Sequence, residues 1–85
     1  MERCTVIVNF SDGRPSEDVS IPLDISALDL LAGLNEAYGL GYDSSRLNQY
    51  SVRMENPICL LKGTKSLRDY GMMDGSRLNL VVERG

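Results

Sequence analysis

Histidine and tryptophan are absent from this 85-residue sequence, which also has one phenylalanine and two cysteines. Without histidine, the chain lacks the commonest general base and the usual activator of a serine or cysteine nucleophile. Cys4 and Cys59 do not form a CxxC pair, so a tetrahedral zinc site would lack ligands. We find no catalytic, metal-binding or cofactor-binding constellation, and we therefore expect a protein that is not an enzyme and uses no cofactor.

Long apolar segments are also missing. The opening residues, MERC, contain no apolar signal region, and no apolar run approaches the length that spans a bilayer. We therefore expect a cytoplasmic protein with reduced thiols and no direct membrane insertion.

An excess of positive charge is missing as well. Nine basic and twelve acidic residues give a formal net charge of −3, and the basic residues are scattered along the chain. Nucleic-acid binding needs a basic face, so we do not expect a nucleic-acid partner.

The length and composition indicate one folded domain over residues 1–85. The chain is too short for two domains, and its hydrophobic content of 42% suits a globular core.

Two β-rich segments open the sequence. In residues 4–10, every second side chain is apolar on one face, and residues 18–21 form a second, shorter strand with Val19 and Ile21 inward. Turn-forming residues separate them, which predicts an N-terminal hairpin.

The clearest helix begins after Ser26, a favoured N-cap residue, with Asp29 three positions later in an approximate capping box. Gly39 stands where a helix end favours a left-handed residue. Gly33 costs about 1 kcal/mol relative to alanine within a helix, and we expect it to allow a close backbone contact with the sheet. The predicted buried stripe is Ala27, Leu30, Leu31, Leu34 and Tyr38.

The remaining segments complete a β-β-α-β-β-β order. Residues 39–49 are predicted as a loop, 50–55 and 58–61 as strands, 66–70 as a helical turn and 77–82 as the last strand. One helix in an otherwise β chain must cover one face of a single sheet, so the predicted fold class is α+β.

The C-terminal turn and strand carry a family resemblance. Residues 66–71 (SLRDYG) and 76–82 (SRLNLVV) resemble the end of ubiquitin, and a more specific pattern is similar to the YukD/EsaB group of ubiquitin-like proteins from bacterial type VII secretion loci. The residues that match this pattern are Leu67, Asp69, Gly71, Met72, Asp74, Gly75, Leu78 and Leu80.

This resemblance implies a ubiquitin-like β-grasp fold, with a mixed sheet of four to five strands packed on one main helix. We expect Asp69 and Tyr70 to fix the turn, and Gly71 and Gly75 to adopt positive φ. Four apolar residues of the pattern should fill the core, namely Leu67, Met72, Leu78 and Leu80.

The resemblance also implies a function. It suggests a non-catalytic interaction module in the cytoplasm beside a membrane-bound machine, with the secretion ATPase or a membrane component as partner. One version of this hypothesis is a ubiquitin-like domain cut from a larger membrane subunit.

Two alternatives remain open. Ubiquitin-like modifiers and sulfur carriers act through a free Gly-Gly tail, whereas this chain ends Glu83-Arg84-Gly85 with one glycine. We therefore expect no conjugation, unless the native chain extends beyond Gly85. The other alternative is a β-grasp subunit of a multicomponent enzyme.

The candidate binding face follows from ubiquitin, whose receptors dock on an apolar patch of its sheet. The corresponding outward positions in this chain are Ser51, Arg53, Asn79 and Val81. Val81 is kept, whereas Arg53 and Asn79 make the patch more polar. An ordinary solvated sheet face is the competing interpretation, and an exposed sheet edge leaves the oligomeric state open. The candidate partner-binding residues are Ile7, Arg53, Asn79 and Val81.

Overall fold

In a computed structural model, which describes residues 2–83, the protein is a five-stranded mixed sheet packed on one main helix. This architecture confirms the predicted α+β class, and the elements follow the predicted β-β-α-β-β-β order. The elements are β1 (Arg3–Phe10), β2 (Glu17–Pro22), α1 (Ala27–Tyr38), a 3₁₀ helix (Ser44–Gln49), β3 (Val52–Glu55), β4 (Cys59–Leu61) and β5 (Arg77–Leu80).

The strands lie in the order β2-β1-β5-β3-β4. β1 and β5 are parallel neighbours, with Val8 opposite Leu78, and the other pairs are antiparallel. The first and last strands are therefore central, whereas β2 and β4 form the two edges.

Helix α1 begins and ends as its sequence predicts. The Ser26 hydroxyl accepts a hydrogen bond from the Asp29 N–H at 3.1 Å. Gly39 has φ 62°, and its N–H donates to the Asn35 carbonyl at 2.9 Å. Both ends thus satisfy main-chain groups that a helix leaves unpaired.

The core lies between α1 and one face of the sheet. Alternate residues of each strand are buried against the helix stripe, as the period of two requires. The core includes Cys4, Val6, Val8, Phe10, Ile21, Ala27, Leu30, Leu31, Leu34, Val52, Met54, Leu61, Leu67, Met72, Leu78 and Leu80.

The explanation predicted for Gly33 is wrong. Gly33 is exposed, and a Cβ atom built on it would meet no atom within 4 Å. The helix therefore contacts the sheet through its other side, and no close backbone approach requires this glycine.

The loop predicted over residues 39–49 is only partly a loop. A 3₁₀ helix forms at Ser44–Gln49, where the Asp43 carboxylate accepts a hydrogen bond from the Ser45 N–H at 3.0 Å. Leu40 and Tyr42 are buried in the core. Sequence periodicity missed both because they alternate with glycines outside any regular element.

Several predicted boundaries shift. The third and fourth strands begin at Val52 and Cys59, and the last ends at Leu80, so the segments 50–55, 58–61 and 77–82 were too long. Residues 66–70 form the predicted turn, in which the Tyr70 N–H donates to the Ser66 carbonyl at 3.3 Å.

The turn before β5 has most of its expected features. Gly71 and Gly75 have φ 83° and 88°, and the Tyr70 hydroxyl donates to the Lys62 carbonyl at 2.6 Å. The oxygen that fixes the turn is that of Ser66 rather than Asp69, because the Asp69 N–H donates to Ser66 Oγ at 3.2 Å.

Candidate functional site

The sheet has an outer face, on the side away from α1. Because alternate residues of β1, β3, β4 and β5 are buried against the helix, the intervening side chains point outward. The outer face, as the term is used below, consists of Ile7, Asn9, Arg53, Glu55, Ile58, Leu60, Arg77 and Asn79.

Asn79 lies at the centre of this face, half-buried on β5. Its side-chain oxygen accepts from Asn9 Nδ2 at 3.2 Å, and its Nδ2 donates to Glu55 Oε1 at 2.8 Å. These bonds tie β1, β5 and β3 together across the outer face, so Asn79 is held in one orientation.

The structure brings together only part of the predicted site. Arg53 lies directly opposite Asn79 in the β3–β5 ladder. Ile7 lies level with Arg77, four residues before Val81. At the rise of a strand, that offset separates Ile7 from Val81 by about 13 Å along β5. Arg53 and Asn79 are therefore neighbours, whereas Ile7 and Val81 flank them at opposite ends.

Two exposed aliphatic side chains were missed by the sequence prediction. Ile58 is 84% exposed and Leu60 is 52% exposed, and Leu60 lies opposite Arg53 in the β3–β4 ladder. A shallow depression of about 360 Å³ is lined by Arg53, Glu55, Ile58 and Asn79. Alternation along β4 places Leu60 on the side opposite the buried Leu61, but the strand has three residues, so its pattern gives only a weak signal in the sequence.

The two arginines of the outer face make no ion pair within the described residues. Within residues 2–83, the ion pairs join Arg14 to Asp12, Arg46 to Asp43, and Arg68 to Glu2 and Asp24, and none includes Arg53 or Arg77. Glu55 lies opposite Arg77 in the β3–β5 ladder, and its carboxylate accepts a hydrogen bond from Asn79. With two arginines and one glutamate beside exposed Ile58 and Leu60, the outer face is aliphatic with a net positive charge on an acidic protein.

The chain that leaves β5 is held against the 39–50 segment. The Tyr42 hydroxyl donates to the Val81 carbonyl at 2.7 Å, and the Glu83 N–H donates to the Leu40 carbonyl at 2.8 Å. Tyr50 stacks on Tyr42 with ring centroids 4.4 Å apart and donates to Glu83 Oε2 at 3.2 Å. Burial, with the charge of Glu83 and the neighbouring Tyr50, raises the pKa of Tyr42. The remaining tail residues considered above, Arg84 and Gly85, lie outside the described residues.

The two cysteines are free thiols. Burial raises the pKa of Cys4, and the charge of Asp74 raises it further; both effects reduce its thiolate fraction and its reactivity. In the described part of the chain, no group of three or more potential metal-ligating side chains comes together. None of the helices there has the length and hydrophobicity needed to cross a membrane.

The fold defines a ubiquitin-like β-grasp domain, and comparison with solved structures agrees. The ubiquitin-like domain of Plasmodium falciparum Dsk2 is 26% identical, with a TM-score of 0.67, covering 96% of this chain and 100% of that one. Ubiquitin of Caldiarchaeum subterraneum is 12% identical, with a TM-score of 0.70 and coverage of 99% and 98%. The C-terminal ubiquitin-like domain of mouse tubulin-specific chaperone e is 13% identical, with a TM-score of 0.73 and coverage of 99% and 90%.

Residues 3–80 match the family described as WXG100 protein secretion system (Wss), protein YukD. The chain therefore belongs to this family, which confirms the resemblance seen in the turn and strand at residues 66–82. No curated protein matches the chain.

Proposed function

We propose that this chain is a non-catalytic protein-interaction module and an accessory component of a WXG100 (type VII) secretion system. In this proposal residues 1–85 form a single domain that acts in the cytoplasm, and its partner is the secretion ATPase or a membrane component of the machine. The observation that carries it is the pair of arginines without ion partners, Arg53 and Arg77, beside exposed Ile58 and Leu60. No cofactor, nucleic acid or insertion into the membrane is needed.

The outer face has the composition of an interaction surface. Arginine is enriched in interfaces and their hot spots, and a bound partner that covers aliphatic side chains removes them from water. The guanidinium fork also matches a carboxylate with two parallel hydrogen bonds. We therefore expect the partner to place acidic side chains at Arg53 and Arg77 and apolar ones at Ile58 and Leu60.

Of the candidate residues, Arg53 and Asn79 belong to the centre of this proposed surface. Ile7 and Val81 lie at its margins, one level with Arg77 and the other beyond the end of β5. Because Arg53 and Asn79 are polar, the surface differs from the apolar patch that receptors of ubiquitin bind, and those receptors are not the expected partners.

A role without conjugation is part of the proposal. An adenylating enzyme needs a slim, mobile tail on its substrate. Here residues 81–83 are hydrogen-bonded to Leu40, Tyr42 and Tyr50, and this supports a role in which the chain after β5 stays attached to the domain. Intact-mass analysis of the protein from its native host tests this point. An unmodified mass is expected, whereas a lysine-linked adduct or a thiocarboxylate at the C-terminus would favour the modifier or sulfur carrier.

The partner is tested by affinity purification from the native host under conditions in which the secretion machine is expressed. The chain carries its tag at the N-terminus, and bound proteins are identified after mild crosslinking. We expect to recover the secretion ATPase or a membrane component in excess over a tagged, unrelated control. Recovery of no secretion component would contradict the assignment.

A further inference from the structure

A second surface lies at the opposite edge of the sheet, where β2 borders α1. A groove of about 230 Å³ runs between them, lined mainly by apolar side chains. Small-molecule sites are typically about 300–1,000 Å³, so this volume suits a few side chains of another polypeptide. Its apolar lining residues are Val19, Ile21, Pro22, Ile25, Leu30, Leu34, Ala37 and Tyr38.

Gly33 forms the open rim of this groove. It lowers helix stability by about 1 kcal/mol relative to alanine, and its missing side chain leaves open space, since no atom lies within 4 Å of a built Cβ. The fold itself therefore gives no reason for glycine here. Unfavourable local choices of this kind concentrate at functional positions, and a larger side chain at Gly33 would project over the groove.

The neighbouring strand is an edge with open main-chain groups. Main-chain groups of Thr5 and Ile7 bond on the β5 side, to Asp74, Gly75 and Ser76. Their register partners on β2, Ser20 and Asp18, must therefore direct their own groups away from β1.

Part of that edge is already closed. The Ser20 carbonyl accepts from Arg3 Nη2 at 3.1 Å, and Pro22 has no N–H. The Asp18 N–H and carbonyl and the Ser20 N–H remain directed outward. An extended segment beside β2 would therefore form only a short run of main-chain bonds, centred on Asp18.

Exposed carboxylates lie on both sides of the β2 edge. Asp29 lines the groove, whereas Asp18 pairs with Ile7 and so points to the other side of the sheet, the side on which Arg3 binds Ser20. Neither carboxylate makes an ion pair with another residue of the 2–83 span. An extended segment beside β2 would therefore meet a carboxylate on each side, which favours a partner that has basic side chains next to apolar ones.

From these features we infer that the groove between β2 and α1 binds an extended segment of another protein in which apolar and basic residues alternate. The segment adds to the β2 edge at Asp18, and alternation then turns its apolar side chains toward the groove and its basic ones toward Asp18. The groove lies on the helix side of the sheet, between β2 and α1, whereas Arg53 and Arg77 lie on the outer face, on β3 and β5. The inference therefore does not depend on the proposed secretion role.

The test uses short synthetic peptides and the ¹⁵N-labelled full chain. The probe alternates valine and lysine; one control alternates valine and glutamate, and another replaces the central valine of the lysine probe with proline. We expect the lysine probe to shift the amide resonances of β2 and α1. The glutamate and proline peptides should bind at least about tenfold more weakly, which corresponds to about 1.4 kcal/mol.

Two pairs of variants locate the site. Gly33→Leu fills the groove, and its matched control Ala32→Leu adds the same side chain at the adjacent exposed position of α1; only the first should abolish binding of the lysine probe. Asp18→Lys should weaken binding of the lysine probe and strengthen binding of the glutamate peptide. Asp69→Lys, in the turn before β5, should change the affinity for neither peptide. Amide spectra of each free variant check that it is folded.

Three outcomes would overturn the inference. The first is equal affinity for the lysine and glutamate peptides. The second is a lysine probe that shifts only the amide resonances of β3 and β4, or shifts none. The third is a spectrum of the free protein whose β2 and α1 signals change with concentration, since that would identify a second copy of the chain as the occupant.

Discussion

A Cβ atom placed on Gly41 would clash with the main-chain carbonyl oxygen of Glu83. The two segments are joined next to this point, where the Glu83 N–H donates to the Leu40 carbonyl. Gly41 also has φ 84°, a conformation that side chains rarely adopt. Close packing against a glycine therefore holds the chain that follows β5 against the segment that follows α1.

Substituting Gly41 should release this contact. Gly41→Ala should destabilise the protein by about 2–4 kcal/mol, because it adds a main-chain clash to the strain of positive φ. Gly63→Ala is the matched control, since Gly63 has φ 76° but no atom within 4 Å of its Cβ position. It should cost only about 1 kcal/mol, as expected for positive φ alone. Urea unfolding measures both, and equal losses would contradict the clash.

Gly33→Ala should instead raise the free energy of unfolding. The added methyl group meets no neighbour, and alanine is favoured over glycine within a helix, so we expect a gain of about 0.5–1 kcal/mol in unfolding free energy. A shift of the urea midpoint at unchanged slope is the measurement. A loss of stability would mean that Gly33 makes a contact that the structure does not contain.

Ser76 is a buried polar residue whose hydroxyl makes two hydrogen bonds. It donates to the Asn56 carbonyl at 2.8 Å and accepts from the Met73 N–H at 3.0 Å. Ser76→Ala leaves both groups without this partner and should cost about 1–3 kcal/mol. Exposed Ser51 provides the control, because Ser51→Ala should stay within about 0.5 kcal/mol of the parent. Thermal or urea unfolding of the pair tests the difference.

Cys4 should resist alkylation in the folded protein. Its pKa is raised by burial and by Asp74, so iodoacetamide should modify the half-buried Cys59 first and Cys4 only after unfolding. Equal labelling rates, followed by mass spectrometry of peptides, would contradict this expectation.

The same shift makes stability depend on pH. Because burial and the charge of Asp74 raise the pKa of Cys4 in the folded protein above that of a free thiol, the unfolded chain loses its thiol proton first. Stability is therefore fully present below the pKa of a free thiol, about 8.5, and falls as pH rises above it through the higher folded pKa. Replacing the thiol in Cys4→Ala should make this decline shallower, and unfolding measured across that range provides the check.

Much of the fold could be predicted because its local signals agree with one another. Ser26 and Gly39 mark the ends of α1, and alternation in β1 places Val6 and Val8 in the core. The burial of Leu40 and Tyr42 could not be predicted in this way. Their positions depend on contacts with residues 81–83, about forty positions along the chain, for which local periodicity has no signal.

The candidate binding site was predicted less completely than the fold. Comparison with ubiquitin located Arg53 and Asn79, which the β3–β5 register places opposite each other. Ile58 and Leu60 were missed because β4 has three residues, too few for a clear alternation. The sequence showed that Gly33 is unfavourable within a helix. Its place on the rim of a groove follows only from the packing of α1 beside β2.

The outer face is tested most directly by reversing one of its charges. Arg53→Glu should leave the fold intact, since Arg53 is exposed and makes no ion pair within residues 2–83. Arg46→Glu is the matched control, because it makes the same charge change in the 3₁₀ helix and breaks only a solvent-exposed pair with Asp43, which is expected to contribute little. Both variants and the parent are tagged and purified from hosts that express the secretion machine.

The measurement is the amount of secretion ATPase or membrane component recovered with each variant by quantitative mass spectrometry. We expect Arg53→Glu to lower recovery at least about tenfold, as loss of an interface hot spot would, and Arg46→Glu to match the parent. Equal recovery with all three proteins would contradict the proposal that the outer face binds the machine.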